Sequence, residues 1–471
     1  MKPRNIVFIL TDQQHFRSLQ ANGCAEARTP NLDRLASEGL NFLNHNVTNP
    51  VCSPSRGSIW TGRMPSETGL YANGAPFAMP RPRTVMEDLN ATGYVTAHAG
   101  KMHLEPIINR TQPHPAFGFQ EFQCGEGDQW YLHDDYNNWL RCNHPREFIR
   151  HYSKLFRENW NAPHTSDIPE ELTHSAWVTR KGMEFLDRQR DSDAPFFLSL
   201  GYFDPHHAFN PCEPYASQWA DADVSAPHTN PEQWRTMPAC MQNDFQKDLW
   251  QDHPEYMKQV LRAYHAMINH IDDCIGRLLA TLEKNGQLEN TVIVFSSDHG
   301  DFAGNHGRLF KGGCLMDDLL RVPLMVWTGD PALRVNGTVQ EVTSALDFYP
   351  TFLRLAGSDA EAPAGTRAFL DANLGVHPDG PRGYALSEWR NPPFESPQGD
   401  IVSLRTREHR LTLYPNAGEE EGELYCHQED PYELHNRYGD TALLDTREKL
   451  RKLLTEAAPG RSNWPEPQTF W

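Results

Sequence analysis

A cysteine at position 52 stands where a nucleophile could meet an anion. It precedes Pro54, and proline favours the first turn of a helix, so the pattern places Cys52 at a helix N-terminus. Free N–H groups there stabilise a negative charge, and Arg56 follows one turn later on the same face. This spacing indicates an anion-binding nucleophile. A buried structural cysteine beside an unrelated arginine is an equally open interpretation.

Alternating strands and helices must position this cysteine. Apolar, β-branched segments predict buried strands over residues 5–11, 94–98, 196–203, 291–295 and 322–327. Helical spacing and end signals predict helices over 29–39, 256–285 and 344–356. Buried strands that alternate with helices predict an α/β fold, with a large, mostly parallel sheet sandwiched by helices.

Polar residues follow several of these strands. Asp12, Lys101, His206 and Asp298 each come just after a predicted strand. In open α/β sheets, ligands bind at the carboxyl ends of the strands. We therefore expect these four residues, distant in sequence, to converge on one site.

The pattern of predicted secondary structure changes near residue 380. Short strand candidates over 401–405 and 410–414 are followed by a polar tail. This predicts a catalytic α/β domain over 1–365 and a smaller C-terminal α+β subdomain, with a small antiparallel sheet, over 366–471. The polar segments 105–165 and 205–250 are expected to be long inserted loops.

Composition restricts the classes of partner. A net charge of −19, from 43 basic and 62 acidic side chains, argues against nucleic acid. No segment approaches the ~20 apolar residues of a membrane helix, so no membrane association is expected. The start of the chain shows no signal-peptide pattern, which predicts a cytoplasmic protein, or a secreted or periplasmic one if a signal was removed. The sequence does not fix the oligomeric state.

The run from Cys52 to Arg63 resembles the C-x-P-x-R signature of the sulfatase family, within the alkaline phosphatase superfamily, with its trailing T-G-R. The resemblance implies that a maturation enzyme oxidises Cys52 to formylglycine. One hydroxyl of the hydrated aldehyde then attacks sulfur, and the second expels sulfate, which neither a thiol nor a serine could do. The implied activity is that of a sulfuric ester hydrolase, which converts a sulfate monoester into an alcohol and inorganic sulfate.

The resemblance also implies one divalent metal ion, bound by two strand-end pairs together with position 52. The pairs here are Asp12-Gln13 and Asp298-His299, where many members have Asp-Asp and Asp-Asn. Fewer carboxylates and an imidazole weaken the preference for a hard cation. Ca²⁺ is the expected ion from the family, and Mn²⁺, Mg²⁺ and Zn²⁺ stay open.

Two further elements supply expected catalytic residues. Lys101 and His103 lie in a run similar to the family's G-K-x-H element, which implies that Lys101 neutralises sulfate and His103 hydrogen-bonds the aldehyde hydrate. His206 lies in a run similar to P-H-x-P-F, with Ala208 in place of the second proline, and is the expected general acid for the leaving alcohol.

Other matches extend the resemblance along the chain. Lys311 matches the family's sulfate-binding lysine, while Asn73 and His306 are expected substrate contacts. The run 320–324 and the element over 424–436, with Cys426 in place of an aspartate, also resemble family motifs. The matched elements therefore run from residue 12 to residue 436.

Two alternative functions stay open at this point. A phosphonate monoester or phosphodiester hydrolase of the same superfamily also carries formylglycine and shares the Asp-Gln and Asp-His elements. The pair Lys101 and His103 favours sulfate over these substrates. The alternative of another class is a non-catalytic protein that binds sulfated glycans.

One insert bears on the substrate. Aromatic, acidic and basic residues crowd it: Trp130, Tyr131, His133, Asp134, Asp135, Tyr136, Trp139 and Arg141. Such a mixture suits a sugar ring, so a small-molecule or oligosaccharide sulfate ester, and in particular a carbohydrate sulfate, is the expected substrate. An insert that packs its own aromatic residues is the alternative.

Overall fold

The computed structural model of the chain describes residues 4–78, 80–104, 115–127, 133–157, 162–242, 253–333, 335–390, 400–415, 417–418 and 421–458. Within these residues the chain forms two β-sheets, one of eight strands and one of four. In the same residues, no helix has both the length and the apolar composition needed to cross a bilayer.

Eight strands form the larger sheet. In chain order they are β1 (Asn5–Thr11), β2 (Leu40–Asn46), β3 (Val95–Gly100), β4 (Glu121–Cys124), β5 (Phe196–Gly201), β6 (Thr291–Ser297), β7 (Leu324–Thr328) and β8 (Gly337–Ser344). Their spatial order is β4-β3-β5-β1-β6-β7-β2-β8. β7 runs antiparallel to both of its neighbours, and the other neighbouring pairs are parallel. The predicted mostly parallel sheet is confirmed.

Helices cover both faces of this sheet. In chain order they are α1 (Pro30–Glu38), α2 (Cys52–Thr61), α3 (Pro65–Thr68), α4 (Val85–Ala91), α5 (Asp135–Asn143), α6 (Pro145–Arg157), α7 (His174–Arg188), α8 (Tyr215–Trp219), α9 (Pro254–Lys284), α10 (Asp317–Leu320), α11 (Phe348–Leu355) and α12 (Leu444–Ala457). Alternate side chains of β1 face opposite sides. Ile6, Phe8 and Leu10 pack with α2, α4 and α11, while Val7 and Ile9 pack with α1, α7 and α9. This double burial explains why every residue of β1 from Ile6 to Leu10 is apolar.

The smaller sheet is antiparallel and lies near the C-terminus. Its strands are β9 (Tyr384–Arg390), β10 (Asp400–Thr406), β11 (His409–Leu413) and β12 (Gly422–Cys426), in the spatial order β12-β11-β10-β9. Leu450 and Leu454 of α12 pack against it. β9 is tied to the segment before α2, because the Glu388 N–H donates to the Thr48 carbonyl at 2.8 Å. The division into 1–365 and 366–471 stays a prediction.

Both segments expected to be loops contain helices, so that prediction is wrong for part of each. α5 and α6 lie within 105–165, and α8 lies within 205–250. In α5, Tyr136 and Leu140 are buried one turn apart, and the Asp134 carboxylate caps the helix by accepting the Asn137 N–H at 2.6 Å. The polar residues that surround these two apolar positions concealed the helical pattern.

Candidate active site

The central strands bring the two expected metal-binding pairs together. β1 and β6 are parallel neighbours with Thr11 opposite Ser297, so the residues that follow them start side by side. The Asp298 N–H donates to the Thr11 carbonyl at 3.1 Å, which holds the two strand ends in register. Asp12, Asp298 and His299 are all fully buried at this edge of the sheet.

Helix α2 brings the nucleophile to the same edge. Cys52 is its first residue, and all ten residues of the helix are buried. The Ser55 hydroxyl donates to the Asp298 carbonyl at 2.5 Å. The side chain of Asn73 accepts the Ser53 N–H at 2.9 Å and so caps the first turn. Asn73 therefore lies beside the nucleophile on a loop that is exposed.

Basic side chains surround the sulfur of Cys52. The Lys311 Nζ lies 2.9 Å from Sγ, and the Lys101 Nζ lies 3.9 Å away. The Nε2 atom of His299 is 3.3 Å from the sulfur, and an Asp12 carboxylate oxygen is 3.6 Å from it. We call Cys52 with these four neighbours, Asp298 and Arg56 the Cys52 cluster.

Arg56 holds the two carboxylates in place. Its Nε donates to Asp298 at 2.7 Å, one terminal nitrogen donates to Asp12 at 3.2 Å, and the other donates to the Lys101 carbonyl at 2.7 Å. The Lys101 ammonium pairs with Asp12 at 2.6 Å. The side chains of Arg56, Lys101 and Lys311 thus place three positive charges beside the carboxylates of Asp12 and Asp298. The cluster therefore attracts an anion, although the whole chain carries a charge of −19.

These charges alter the acidity of the cluster. Burial opposes ionisation of Cys52, but the charges of Lys101 and Lys311 outweigh it and hold the pKa of the thiol well below its usual range. The pKa of Asp12 is also lowered, because its neighbouring lysines outweigh burial and the charge at Cys52. The cluster therefore stabilises negative charge at position 52 and at Asp12.

The donor set of the cluster fits a divalent cation. Ligand atoms of Asp12, Cys52, Asp298 and His299 all lie within 4.8 Å of one another. The Nδ1 of His299 bonds to the Gly300 carbonyl at 2.8 Å, which leaves Nε2 to act as a ligand. The Lys311 ammonium, 3.1 Å from that Nε2 and 3.9 Å from Asp12, shows that these atoms attract a positive charge.

Gln13 also lies at this centre, with its backbone in the left-handed region at φ 64°. Its side-chain amide donates to Asp301 at 2.5 Å and contacts His207 at 3.1 Å. Its Oε1 is buried without a hydrogen-bond partner among the described residues. An oxygen with no partner in a buried site is suited to bind a cation.

Two histidines complete the surroundings of Cys52. His103 and His206 both lie close enough to its side chain to affect the charge there. The ring of His206 stacks on that of His207, with centroids 4.0 Å apart. Burial, together with the charge of Lys311, lowers the pKa of His206 to about 4. Since His207 contacts Gln13 instead, His206 is the member of this pair that faces the nucleophile.

His306 has other partners. Its Nδ1 bonds to Gln233 at 2.8 Å, and its Nε2 pairs with Asp318 at 3.2 Å. Both ring nitrogens are thereby occupied, so the expectation that His306 contacts substrate is not supported by this placement. Its polar partners hold the loop between β6 and α10.

The aromatic insert packs into the protein where the structure describes it. Tyr136 is buried, and its hydroxyl donates to the Leu172 carbonyl at 3.0 Å. Trp139 lies under the guanidinium of Arg180 at 4.3 Å. These contacts favour the interpretation of an insert that packs its own rings. Trp130 and Tyr131 lie outside the described residues.

Two buried carboxylates of the site were not identified from the sequence. Glu126 accepts the backbone N–H of His103 at 3.1 Å and so orients that residue. Asp301 accepts hydrogen bonds from Gln13 and from the N–H of Phe310, which links the metal-binding edge to the loop that carries Lys311. Asp301 could have been suspected, because it lies three residues after Asp298 in the same strand-end loop. Glu126 carries no comparable signal.

Family models match nearly the whole chain. The model described as Sulfatase matches residues 4–358. The model described as N-sulphoglucosamine sulphohydrolase, C-terminal, matches residues 304–459. The two matches overlap across the loop that carries Lys311.

Individual proteins resemble the chain over most of their length. An arylsulfatase from Clostridium perfringens is 29% identical, covering 98% of this chain and 95% of its own. An N-acetylglucosamine-6-O-sulfatase from Bacteroides thetaiotaomicron is 27% identical, covering 97% and 86%. The crystal structure of a phosphonate monoester hydrolase from Agrobacterium radiobacter has a TM-score of 0.77 at 24% identity, covering 96% and 95%, and shares the fold.

Proposed function

The chain belongs to the sulfatase family, and on that premise we propose that this sulfuric ester hydrolase acts on a carbohydrate sulfate monoester, with position 52 as the nucleophile. The observation that carries the proposal is the Cys52 cluster, in which the sulfur lies 2.9 Å from the Lys311 ammonium and 3.6 Å from the Asp12 carboxylate. Members of this family use a metal ion and a formylglycine. A hydrated formylglycine at position 52 would supply one hydroxyl that attacks sulfur and displaces the alcohol, and a second that releases sulfate as the aldehyde re-forms.

The two lysines of the cluster and the nearby His103 bind the sulfate group in this proposal. Lys311 and Lys101 contact the Cys52 sulfur, and His103 lies close enough to affect its charge, which puts all three within reach of an anion bound there. Arg56 keeps its contacts with Asp12 and Asp298 and acts by orienting them. Donors placed around a developing negative charge lower the barrier, because they need no reorganisation during the reaction.

Asp12, Asp298 and His299, with Gln13 and position 52, hold the metal ion in this proposal. We take the ion to be Ca²⁺, as expected from the family, although the imidazole ligand also suits Mn²⁺ or Zn²⁺, and Mg²⁺ is a further alternative. The ion would supply positive charge to the sulfate oxygens and to the nucleophile. Metal analysis of the purified chain by mass spectrometry identifies which ion is retained.

His206 is the proposed general acid. It lies close enough to the Cys52 side chain and to Lys311 for their charges to affect it, so a leaving alcohol displaced from sulfur at this position is within its reach. An anionic substrate offsets the charge of Lys311, one of the causes that lower the pKa of His206. Substrate binding thus favours the protonated ring that a general acid requires.

The substrate class rests on the relatives. The Bacteroides thetaiotaomicron relative is named as an N-acetylglucosamine-6-O-sulfatase, and the match covers 97% of this chain. The described part of the aromatic insert supports no sugar contact of its own, because Tyr136 and Trp139 pack internally. We therefore propose a sulfated sugar, as a monosaccharide or in an oligosaccharide, without assigning its linkage.

Conversion of Cys52 requires a maturation enzyme as a partner in this proposal. Mass spectrometry of the Cys52 peptide tests this step, since oxidation of the thiol to the aldehyde lowers the mass by roughly 18 Da. A chain produced with a formylglycine-generating enzyme should carry the lower mass. An unmodified thiol from that host would contradict the proposal and favour the non-catalytic binder of sulfated glycans.

The choice between sulfate and phosphonate substrates needs a direct comparison. The shared fold with a phosphonate monoester hydrolase makes phosphonate the second candidate, and Lys101 and His103 favour sulfate. We would measure kcat/KM of the converted enzyme on N-acetylglucosamine-6-sulfate, 4-nitrophenyl sulfate, and matched phenyl phosphonate and phosphodiester esters. The sugar sulfate should give the highest value, and the Cys52→Ala variant should be inactive on all four. A preference for the phosphorus esters would reject the proposal, and activity confined to 4-nitrophenyl sulfate would reject the sugar alone.

A further inference from the structure

A second group of metal-binding side chains lies outside the Cys52 cluster, where Cys24, Glu26 and His265 meet at the wall of a surface cavity. We propose that these three residues bind one divalent transition metal ion, Zn²⁺ by the chemistry of the donors, in a structural site that joins the segment after β1 to α9. We call this group the Cys24 site. It goes beyond the proposed function, which does not use these residues.

The spacing of the three donors suits one ion. The Cys24 sulfur lies 3.9 Å from the His265 Nε2, and the three ligand atoms all lie within 4.8 Å of one another. Tetrahedral ligands at the usual Zn–S, Zn–N and Zn–O distances are about 3–4 Å apart. The present separations of the three ligand atoms are therefore close to those of a zinc site, and small side-chain movements would bring the atoms to bonding distance of one ion. A water molecule from the cavity can supply a fourth ligand.

Local contacts already orient the donors. The Ala27 N–H donates to the Cys24 carbonyl at 3.2 Å, so Cys24 and Glu26 share one turn. One carboxylate oxygen of Glu26 accepts the Ser225 N–H at 2.8 Å. The ring of His265 stacks on Trp219, with centroids 5.2 Å apart and planes at 14°. A site whose ligands are held in advance loses less entropy when it binds an ion.

The site is shielded but reachable. Cys24 and His265 are each 8% exposed, and all three donors line the cavity. Arg17 lines the same cavity, but its guanidinium donates to the Pro431 carbonyl at 2.7 Å and stacks on Tyr432 at 4.3 Å. An ion can therefore enter from solvent without displacing a bound cation of the protein.

A cation must displace the proton of the Cys24 thiol before the sulfur can act as a ligand. Burial and the nearby carboxylate of Glu26 raise the pKa of the Cys24 thiol to about 12. Burial lowers the pKa of His265 to about 4, so its ring is neutral and can act as a ligand. When the ion binds, the S–H bond breaks, a bond from sulfur to the metal forms, and the proton leaves to solvent. The positive ion then neutralises two negative donors.

Two other groups of potential ligands contrast with this site. In the group of Glu170, His270 and Cys274, the Arg277 guanidinium already lies 2.6 Å from the carboxylate and 2.9 Å from the sulfur. In the group of Asp317, His427 and Glu433, Arg410 pairs with both carboxylates at 2.8 Å. An arginine already supplies positive charge to the donors of both groups, whereas the donors of the Cys24 site face a cavity.

An ion at the Cys24 site would also support the edge of the active site. Tyr264 precedes His265 in α9, and its hydroxyl donates to the Gln13 carbonyl at 2.8 Å. The same hydroxyl accepts the His15 N–H at 2.7 Å. Fixing this turn of α9 therefore fixes the backbone that follows Asp12.

A cobalt titration tests the proposal on the full chain. We would use the Cys52→Ser variant as the background, because it removes the thiol ligand of the Cys52 cluster. The protein is first stripped of metal by chelation. One equivalent of Co²⁺ should produce the near-ultraviolet charge-transfer absorption of a cobalt–thiolate bond, and Zn²⁺ should abolish it. Adding Cys24→Ser should remove this absorption. Controls that add Cys142→Ser, an exposed cysteine, or Cys274→Ser, from the arginine-bound group, should retain it.

Further variants keep the test valid if Cys24→Ser fails to fold. Glu26→Gln and His265→Gln should each weaken Co²⁺ binding more than about tenfold, as expected for loss of one ligand. Unchanged affinity in both variants would overturn the proposal. The proposal would also be overturned if the Cys52→Ser background showed no cobalt–thiolate absorption, or if the absorption survived Cys24→Ser. Loss of the absorption with Cys274→Ser instead would overturn it as well.

Discussion

The acidity of Cys52 is set by a small number of neighbouring side chains. The pKa of its thiol is lowered by Lys101 and Lys311 even though burial acts in the opposite direction. Because the whole chain carries a charge of −19, an approaching anion is repelled until it comes close to these two ammonium groups. Low concentrations of salt should therefore tighten the binding of a sulfate ester, because they screen the long-range repulsion. Higher concentrations should weaken it, because the anions of the salt compete for Lys101 and Lys311.

The role proposed for His206 predicts a dependence on the leaving group. His206→Ala should lower kcat/KM on a sugar sulfate by about 10²- to 10⁴-fold, because the alkoxide leaves without a proton. On 4-nitrophenyl sulfate the loss should be less than about tenfold, since that phenolate needs no acid. His306→Ala, whose ring bonds to Gln233 and Asp318, is the control and should affect both substrates equally. Equal losses in the His206 variant would remove it as the acid.

At this scale the sequence predicted the residues that belong to motifs. Lys101 and Lys311 were assigned from short runs of fixed spacing, and both contact the Cys52 sulfur. Glu126 was missed because a single carboxylate in a loop has no periodic or spacing signal, and Asp301 was missed because only its position three residues after Asp298 could have suggested it. Their roles depend on contacts with His103 and Gln13, which only the folded chain brings together.

Glycines allow the strand ends to come close together at the edge of the site. Gly100 ends β3 with φ at 106°, and an added Cβ there would lie 2.0 Å from the Gly201 carbonyl oxygen. Gly300 follows His299, and an added Cβ there would lie 1.9 Å from the Asp318 carbonyl oxygen. In both places the obstacle is backbone, which cannot rotate away. These elements therefore approach at a distance that no side chain permits.

Gly100→Ala should destabilise the protein by more than about 3 kcal/mol, because it combines this backbone clash with strain at positive φ. The matched control is Gly418→Ala, which has φ at 101° with nothing within 4 Å of the added Cβ. It should lose only about 1–2 kcal/mol from the strain alone. Urea unfolding measures both variants, and equal losses would show that the close approach at Gly100 is unimportant.

The elements were predicted best where burial is complete. β1 and β6 were found from their apolar runs, although β6 extends to Ser297, two residues beyond the prediction. Those two serines carry no apolar signal and are held by pairing with β1. Helix α5 was missed because its two buried apolar residues, Tyr136 and Leu140, are too few among polar neighbours to give a helical pattern. Tertiary contacts decide both cases, so a local pattern could not reveal them.

A buried ionic network joins the smaller sheet to helix α10. Arg410 of β11 pairs with Asp317 of α10 and with Glu433, each at 2.8 Å. The second oxygen of Glu433 accepts the Asp317 N–H at 2.7 Å. Arg405 of β10 also pairs with Asp317, at 3.3 Å. The loop that carries Lys311 thereby meets the smaller sheet through charges that are inaccessible to solvent.

Arg410→Ala should cost about 3–5 kcal/mol in the free energy of unfolding, since it leaves buried carboxylates without their partner. The control is Arg437→Ala, which breaks a pair with Asp440 at 2.7 Å whose side chains are 32% and 33% exposed. That variant should lose far less stability than Arg410→Ala, because solvent screens an exposed ion pair. Chemical denaturation followed by circular dichroism compares them, and similar values would mean that the network adds nothing to stability.

A buried histidine makes stability depend on pH. Burial lowers the pKa of His45 from 6.5 to about 3, so the unfolded chain binds a proton that the folded chain refuses between these values. Stability is full above pH 6.5 and falls as the pH decreases, by about 2 kcal/mol at pH 5 from this residue alone. His45→Asn should therefore lose about 2 kcal/mol less than the parent chain between pH 7.5 and pH 5. Identical pH dependence in urea unfolding would contradict this assignment.

The placement of β1 in the middle of the larger sheet has a consequence for synthesis. Its two neighbours come from residues 196–201 and 291–297, so the first strand cannot be enclosed until most of the chain has left the ribosome. The Cys52 thiol, fully enclosed in the finished fold, meets Lys311 across 259 positions of sequence. At ordinary elongation rates those positions take roughly 10–50 s to add. An enzyme that modifies this thiol can act during that interval, and afterwards it faces a closed protein.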